Sequence, residues 1–131
     1  MRIFILEDDP IRIKAFKAAF EKEEVDWATE AIYAADMLGR NHYDMAFLDH
    51  DLGGEIFVDP ERDDTGSGVC RRIASWINMD TQKHLLNTSF IIHSMNPIGA
   101  RNMENILKDA GCRFVKWIPF STVVMQFYLK L

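Results

Sequence analysis

The chain is short of cysteine, of net positive charge and of long apolar runs, and each shortage removes a class of explanation. Only two cysteines, Cys70 and Cys112, occur in 131 residues. One lies in a helix-like stretch and the other follows Gly111 beside a strand, so a reduced, intracellular protein is expected rather than a disulfide scaffold. No apolar run approaches the roughly 20 residues that a membrane span needs. Met1-Arg2 leads straight into a strand-like segment without signal-peptide architecture, so no membrane association and a cytoplasmic location are expected. Lys and Arg number 15 against 20 Asp and Glu, a formal charge of -5. That balance argues against strong nucleic-acid binding by the domain as a whole. A small phosphorylated ligand stays compatible, because it needs only a local positive site, which a metal ion held by acids would create.

What is present is an alternation of two periodicities. The length suits one domain over 1–131 that buries about two thirds of the surface its unfolded chain exposes. Ile3-Phe4-Ile5-Leu6, Met45-Ala46-Phe47-Leu48 and Phe90-Ile91-Ile92 are short, continuous apolar runs, the pattern of strands buried on both faces. Val25 to Thr29 is a weaker strand and Phe114 to Ile118 a fifth. Between them the period becomes helical: Ile13, Phe16 and Phe20 after Pro10; Ala31, Ala34, Ala35 and Leu38 within 30–40; Val69, Ile73, Trp76 and Ile77; then Ala100, Met103, Leu107 and Ala110. Asn96-Pro97 reads as an N-cap and first turn, Gly111 as a stop, and Ser121 as the cap of a last helix carrying Val123, Val124, Phe127, Tyr128 and Leu131. Strict alternation of five strands with five helices predicts an α/β, doubly wound parallel sheet. The Gly-, Pro- and Asp-rich stretch at about 53–66 reads as a long, mobile surface loop near the strand tips.

Polar residues collect where three of the strands end. Glu7-Asp8-Asp9 closes the first run, Asp49-His50-Asp51 the third, and His93-Ser94-Met95-Asn96 the fourth. Strand ends in an open α/β sheet are where ligands bind, so neighbouring tips would form one pocket. Carboxylates gathered without a cation repel and raise one another's pKa values, which makes the grouping point to a metal. Solvated loop acids, a turn-capping Asp51 and a satisfied core His93 are the plainer readings of the same residues. His42 and His84 have no partners in the pattern, and Arg71-Arg72 reads as the solvated side of a helix unless the long loop folds over it.

The segments IFILEDDP over 3–10 and FLDHDLGG over 47–54, with Ser94 at the end of the fourth strand, resemble the receiver domain of two-component response regulators. The resemblance runs over the whole chain and implies a flavodoxin-like fold with strand order 2-1-3-4-5. It implies that Glu7, Asp8 and Asp49 bind a divalent metal, Mg²⁺ or Mn²⁺, that Asp49 is a phosphoacceptor, and that Ser94 contacts the phosphoryl group. One position departs. Receivers place a lysine immediately before the proline that ends the fifth strand, whereas Ile118 precedes Pro119 and Lys116 lies two residues earlier, on the same strand face. His50, Asp51, His93 and Asn96 are not receiver signatures. They are similar to the tips of a divergent branch, the cyclic-phosphate-processing receiver-like domains, which carry DHDL and HS-x-N segments.

Three functions compete. As a phosphoesterase, the pocket would open a cyclic phosphate or phosphodiester, with His50 and His93 as an acid and base pair, Asp51 orienting one imidazole, Asp49 and the metal in the same pocket, and Ser94, Asn96 and Lys116 holding phosphate oxygens. As a signalling module, Asp49 would accept a phosphoryl group from a kinase or acetyl phosphate. As an interaction domain, the fold would serve a partner protein without chemistry.

Overall fold

The apolar runs become strands because each side chain along them meets a hydrophobic layer on one face of the sheet or the other. The computed structural model describes residues 1–121. In chain order the elements are β1 (Arg2–Leu6), α1 (Pro10–Ala19), β2 (Glu24–Ala28), α2 (Ala31–Arg40), β3 (Met45–Leu48), α3 (Gly66–Asn78), a short 3-10 helix (Lys83–Asn87), β4 (Ser89–Ile92), α4 (Pro97–Asp109) and β5 (Phe114–Trp117). All strand pairs are parallel, in the order β2-β1-β3-β4-β5, as expected. Four α-helices lie among the described residues. The fifth expected helix, from Ser121 through Leu131, falls almost wholly outside them.

Side chains alternate faces along a strand with a period of two, and the two cores follow that rule. Phe4, Leu6, Ala46, Leu48, Phe90 and Ile92 face α2, α3 and α4. Ile3, Ile5, Phe47 and Ile91 face Phe16, Ala19 and Phe20 of α1. Phe16 centres the second core, 5.4 Å from the ring of Phe47 and 5.5 Å from that of Phe120. Cys70 and Cys112 are unpaired buried thiols, and no helix among the described residues is long and apolar enough to cross a membrane.

The caps were legible in part. Asn96 accepts from the Gly99 amide at 3.0 Å with Pro97 in the first turn, and Gly111 leaves α4 at φ +100. Asp9 caps α1 by accepting from Ile11 at 2.9 Å. The 3-10 helix was not anticipated, since Lys83–Asn87 carries no helical hydrophobic period and is entered through a left-handed Gln82. The stretch at 53–66 forms no helix or strand before α3 begins, as a loop should, and hydrogen bonds fasten it to the domain. Arg71 donates to the carbonyls of Pro60 and Arg62 at 2.7 and 2.9 Å, which corrects its reading as a solvated or phosphate-reaching side chain. Thr65 then starts α3, accepting from Gly68 at 3.2 Å.

Candidate functional site

Register decides which tip residues meet. The ladder pairs Ile5 with Phe47 and Phe47 with Ile91. It continues past the strand ends, where the Asp49 amide donates to Leu6 and the His93 amide to Leu48, both at 3.1 Å. Two residues further along each strand, on the α1 face, stand Glu7, Asp49 and His93 in one row. All three are buried, and one ligand-capable atom from each lies within 4.8 Å of the others. His93 Nε2 donates to Glu7 Oε1 at 2.9 Å, while its Nδ1 is buried without a partner. The ring is wedged against Phe16 at 5.1 Å and Phe120 at 6.3 Å.

Arg12 completes the row from α1. Its Nη1 lies 3.7 Å from both Glu7 Oε1 and Asp49 Oδ2, and its guanidinium sits 5.2 Å above the Phe120 ring. A cation in the first turn of a helix opposes the helix dipole, so its presence there signals an acid to be met.

The electrostatics separate the two acids. Burial pushes the Asp49 carboxyl up to about 7, with the neighbouring Glu7 charge adding to the rise and His93, the His50 amide and Arg12 opposing it. Burial would also raise Glu7, but hydrogen bonding and charge from His93, then the Asp9 amide and Arg12, hold it below the usual carboxylate range. Near neutral pH, therefore, Glu7 is ionised, whereas Asp49 holds a proton far more readily than an ordinary aspartate.

The next residue of each strand points the other way. Asp8 Oδ2 accepts from the Gly54 amide at 3.0 Å rather than joining the row. His50 is fully buried on the α3 and α4 side, with Nδ1 2.9 Å from Asp51 Oδ1 and Nε2 2.9 Å from Ser67 Oγ. The Asp51 carboxylate can only accept, which puts an imidazole proton on Nδ1, and Nε2 then accepts from the Ser67 hydroxyl, whose oxygen also accepts from Asn102 at 2.8 Å. A Cβ at Gly99 would lie 2.4 Å from His50 Cγ, so α4 can approach only because that position is glycine. The expected pairing of His50 with His93 is corrected here: the imidazoles occupy opposite faces of the sheet, because Asp49, not His50, is in register with His93.

His50, Asp51 and Asn96 instead form a bracket. Asp51 accepts from the amides of Phe57 at 2.7 Å and Val58 at 3.1 Å and from Asn96 Nδ2 at 3.1 Å. Burial would raise the Asp51 carboxyl, but His50, Asn96 and those two amides hold it below the usual range. Ser94 Oγ accepts from the Asn96 amide at 3.1 Å, leaving its hydroxyl proton free. Lys116 is not brought to this group: it is exposed in β5 opposite Ile91, before the strand tip. A crevice of about 510 Å³ opens at the tips, lined by Glu7, Asp49 and Arg12 at one end, Ser94 and Asn96 beside them, and Ile56, Phe57 and Met95 at the rim. A larger groove of about 970 Å³ adjoins it at Asp8, between the start of α2 and α3.

A family model described as the cyclic-phosphate processing receiver domain matches residues 2–109. No curated protein sequence matches the chain. Among solved structures, a CheY-like response regulator receiver domain protein from Methanospirillum hungatei JF-1 is similar at 15% identity and a TM-score of 0.61, over 98% of this chain and 91% of that one. A two-component response regulator from Clostridium difficile is similar at 16% identity and a TM-score of 0.61, over 99% and 93%. A response regulator from Burkholderia multivorans gives 15% and 0.60, over 98% and 93%. At such identities the likeness shows a shared fold.

Proposed function

Because the chain belongs to the cyclic-phosphate processing receiver domain family, we propose that its buried row is a cation-assisted phosphate site that opens a cyclic phosphate or related phosphodiester. The observation that carries this reading is the convergence of Glu7, Asp49, His93 and Arg12 on one spot at the strand tips. Two carboxylates and an imidazole form a donor set for a divalent cation. Mg²⁺ favours oxygen donors, whereas Mn²⁺ also takes imidazole, so the set suits Mn²⁺ better than the Glu7, Asp8 and Asp49 triad would have. Among the described residues Glu7 alone hydrogen-bonds the His93 ring, and moving the imidazole proton to Nδ1 would free Nε2 to ligate. Such a cation would neutralise charge on the phosphate oxygens and on the surrounding acids.

The chain's own groups divide the remaining work. Asp49, buried at the β3 tip on the crevice, would hold the cation together with Glu7 and His93. Arg12 supplies a planar guanidinium for phosphate oxygens, and the free Ser94 hydroxyl proton supplies one further donor. Asn96 and Asp51 act through the bracket, because their polar atoms are already engaged with Val58, Phe57 and His50. Hydrolysis of 2′,3′-cyclic nucleotides with Mn²⁺ or Mg²⁺ tests the reading. Turnover should require the cation and fall by about 100-fold or more in Asp49→Asn, since weakening a metal site's ligand shell costs affinity and activity on that scale. Turnover no greater than that variant's would overturn it.

The second reading, phosphorylation of Asp49, is favoured by that carboxylate's place at the β3 tip on the crevice. It requires a mass increase after acetyl phosphate treatment that Asp49→Asn abolishes.

A further inference from the structure

The rim of the crevice is apolar although its floor is charged. Ile56 is 78% exposed, Phe57 71% and Met95 54%, and all three line the same crevice as Glu7, Asp49 and Arg12. Large apolar side chains left this open beside a polar site mark a contact surface. Phe57 is also held on purpose. Its backbone sits at φ +52, a conformation bulky residues rarely adopt, and its amide donates to Asp51 at 2.7 Å. Val58 next to it is buried and donates to the same carboxylate, which His50 and Asn96 grip from beneath. The two amide bonds to Asp51 thus fix the backbone that carries the exposed ring.

We propose that Phe57, flanked by Ile56 and Met95, is a stacking platform for the nucleobase of a nucleotide whose phosphate lies on the Glu7, Asp49 and Arg12 floor. This rests on the phosphate-site reading above and narrows its substrate class to nucleotides. A base has a planar π-face that an aromatic ring accepts whatever its identity, and removing such a ring weakens binding by about tenfold or more. The crevice, at about 510 Å³, lies within the size range of small-ligand sites. A sugar alone would gain little from three exposed apolar side chains.

The test uses the full chain loaded with Mn²⁺, with adenosine 2′-monophosphate and inorganic phosphate as calorimetric probes. Asn tolerates the left-handed backbone at position 57, so Phe57→Asn removes the ring while keeping the loop; Phe57→Gly serves in its place if Asn lowers the melting temperature. Either variant should bind the nucleotide about tenfold more weakly or worse and inorganic phosphate as the parent does, and Phe57→Trp should bind the nucleotide at least as tightly as the parent. Equal nucleotide affinity in parent and ring-less variant overturns the platform and leaves the phosphate reading standing. Failure of the parent to bind either probe overturns both.

Discussion

At Asp49, burial and function pull in opposite directions, and the pH dependence of stability should report it. Burial holds its carboxyl up at about 7 in the folded state, well above the ordinary aspartate value of about 3.9. Between those values the folded state holds more protons than the unfolded one, so stability falls as pH rises toward 7 and is level above it. The loss amounts to about 4 kcal/mol, an order-of-magnitude figure for this almost fully buried group. Glu7 and Asp51 work in the opposite sense: both are held below their usual range, so their contribution is present above the unfolded carboxylate range and disappears as acidification passes their folded values. Thermal unfolding across pH 4 to 8 should therefore show a falling upper arm in the parent that Asp49→Asn removes. An unchanged arm would mean that Asp49 is better solvated than its 4% exposure implies. Gly99 offers a steric counterpart. Adding a single methyl drives a Cβ into the His50 ring, so Gly99→Ala should cost about 1–3 kcal/mol in denaturant unfolding.

Among the elements, the stretch between β3 and α3 carries more hydrogen bonding than its composition suggests. Glycine, proline and acids predict a loose loop, yet the Asp51 bracket at one end and Arg71 at the other close it onto the sheet tips. Asp51→Ala leaves the Phe57 and Val58 amides and His50 Nδ1 without their acceptor. Limited proteolysis should then cut at 55–58 faster than in the parent, and hydrogen exchange at those amides should rise. Unchanged cleavage would show that the Asp51 bracket does not hold the segment. The start of α3 depends on Thr65 in the same way, and Thr65→Ala should lower stability by about 1 kcal/mol through loss of the Gly68 cap.

For the whole molecule, the expected effect is linkage between cation and fold. A ligand that binds only the folded state stabilises it by about 2.7 kcal/mol at a hundred times its dissociation constant. Mn²⁺ should raise the melting temperature of the parent, a chelator should reverse it, and His93→Gln should reduce the Mn²⁺ response more than the Mg²⁺ response, since imidazole matters less to the harder ion. Equal responses in parent and variant would place the cation on oxygens alone. The architecture makes this coupling direct, because Glu7, Asp49 and His93 sit at the ends of three adjacent central strands that the two cores hold in register.

What the sequence determined by itself was local. Apolar runs of strand length, helical periods between them and the polar residues at each tip are consequences of side-chain chemistry and backbone geometry over a few positions, and they were sufficient for the α/β alternation. Period two also dictates that Asp49 and His50 point to opposite faces. The tertiary structure decided how one strand is offset against the next, because inter-strand register depends on cores far apart in sequence. That offset set His93 beside Asp49 and Glu7, left His50 to Ser67 and Gly99, and turned Asp8 to Gly54. It also brought Arg12 from α1 onto the acids, a contact between a helix and two strand tips that no single-strand pattern contains.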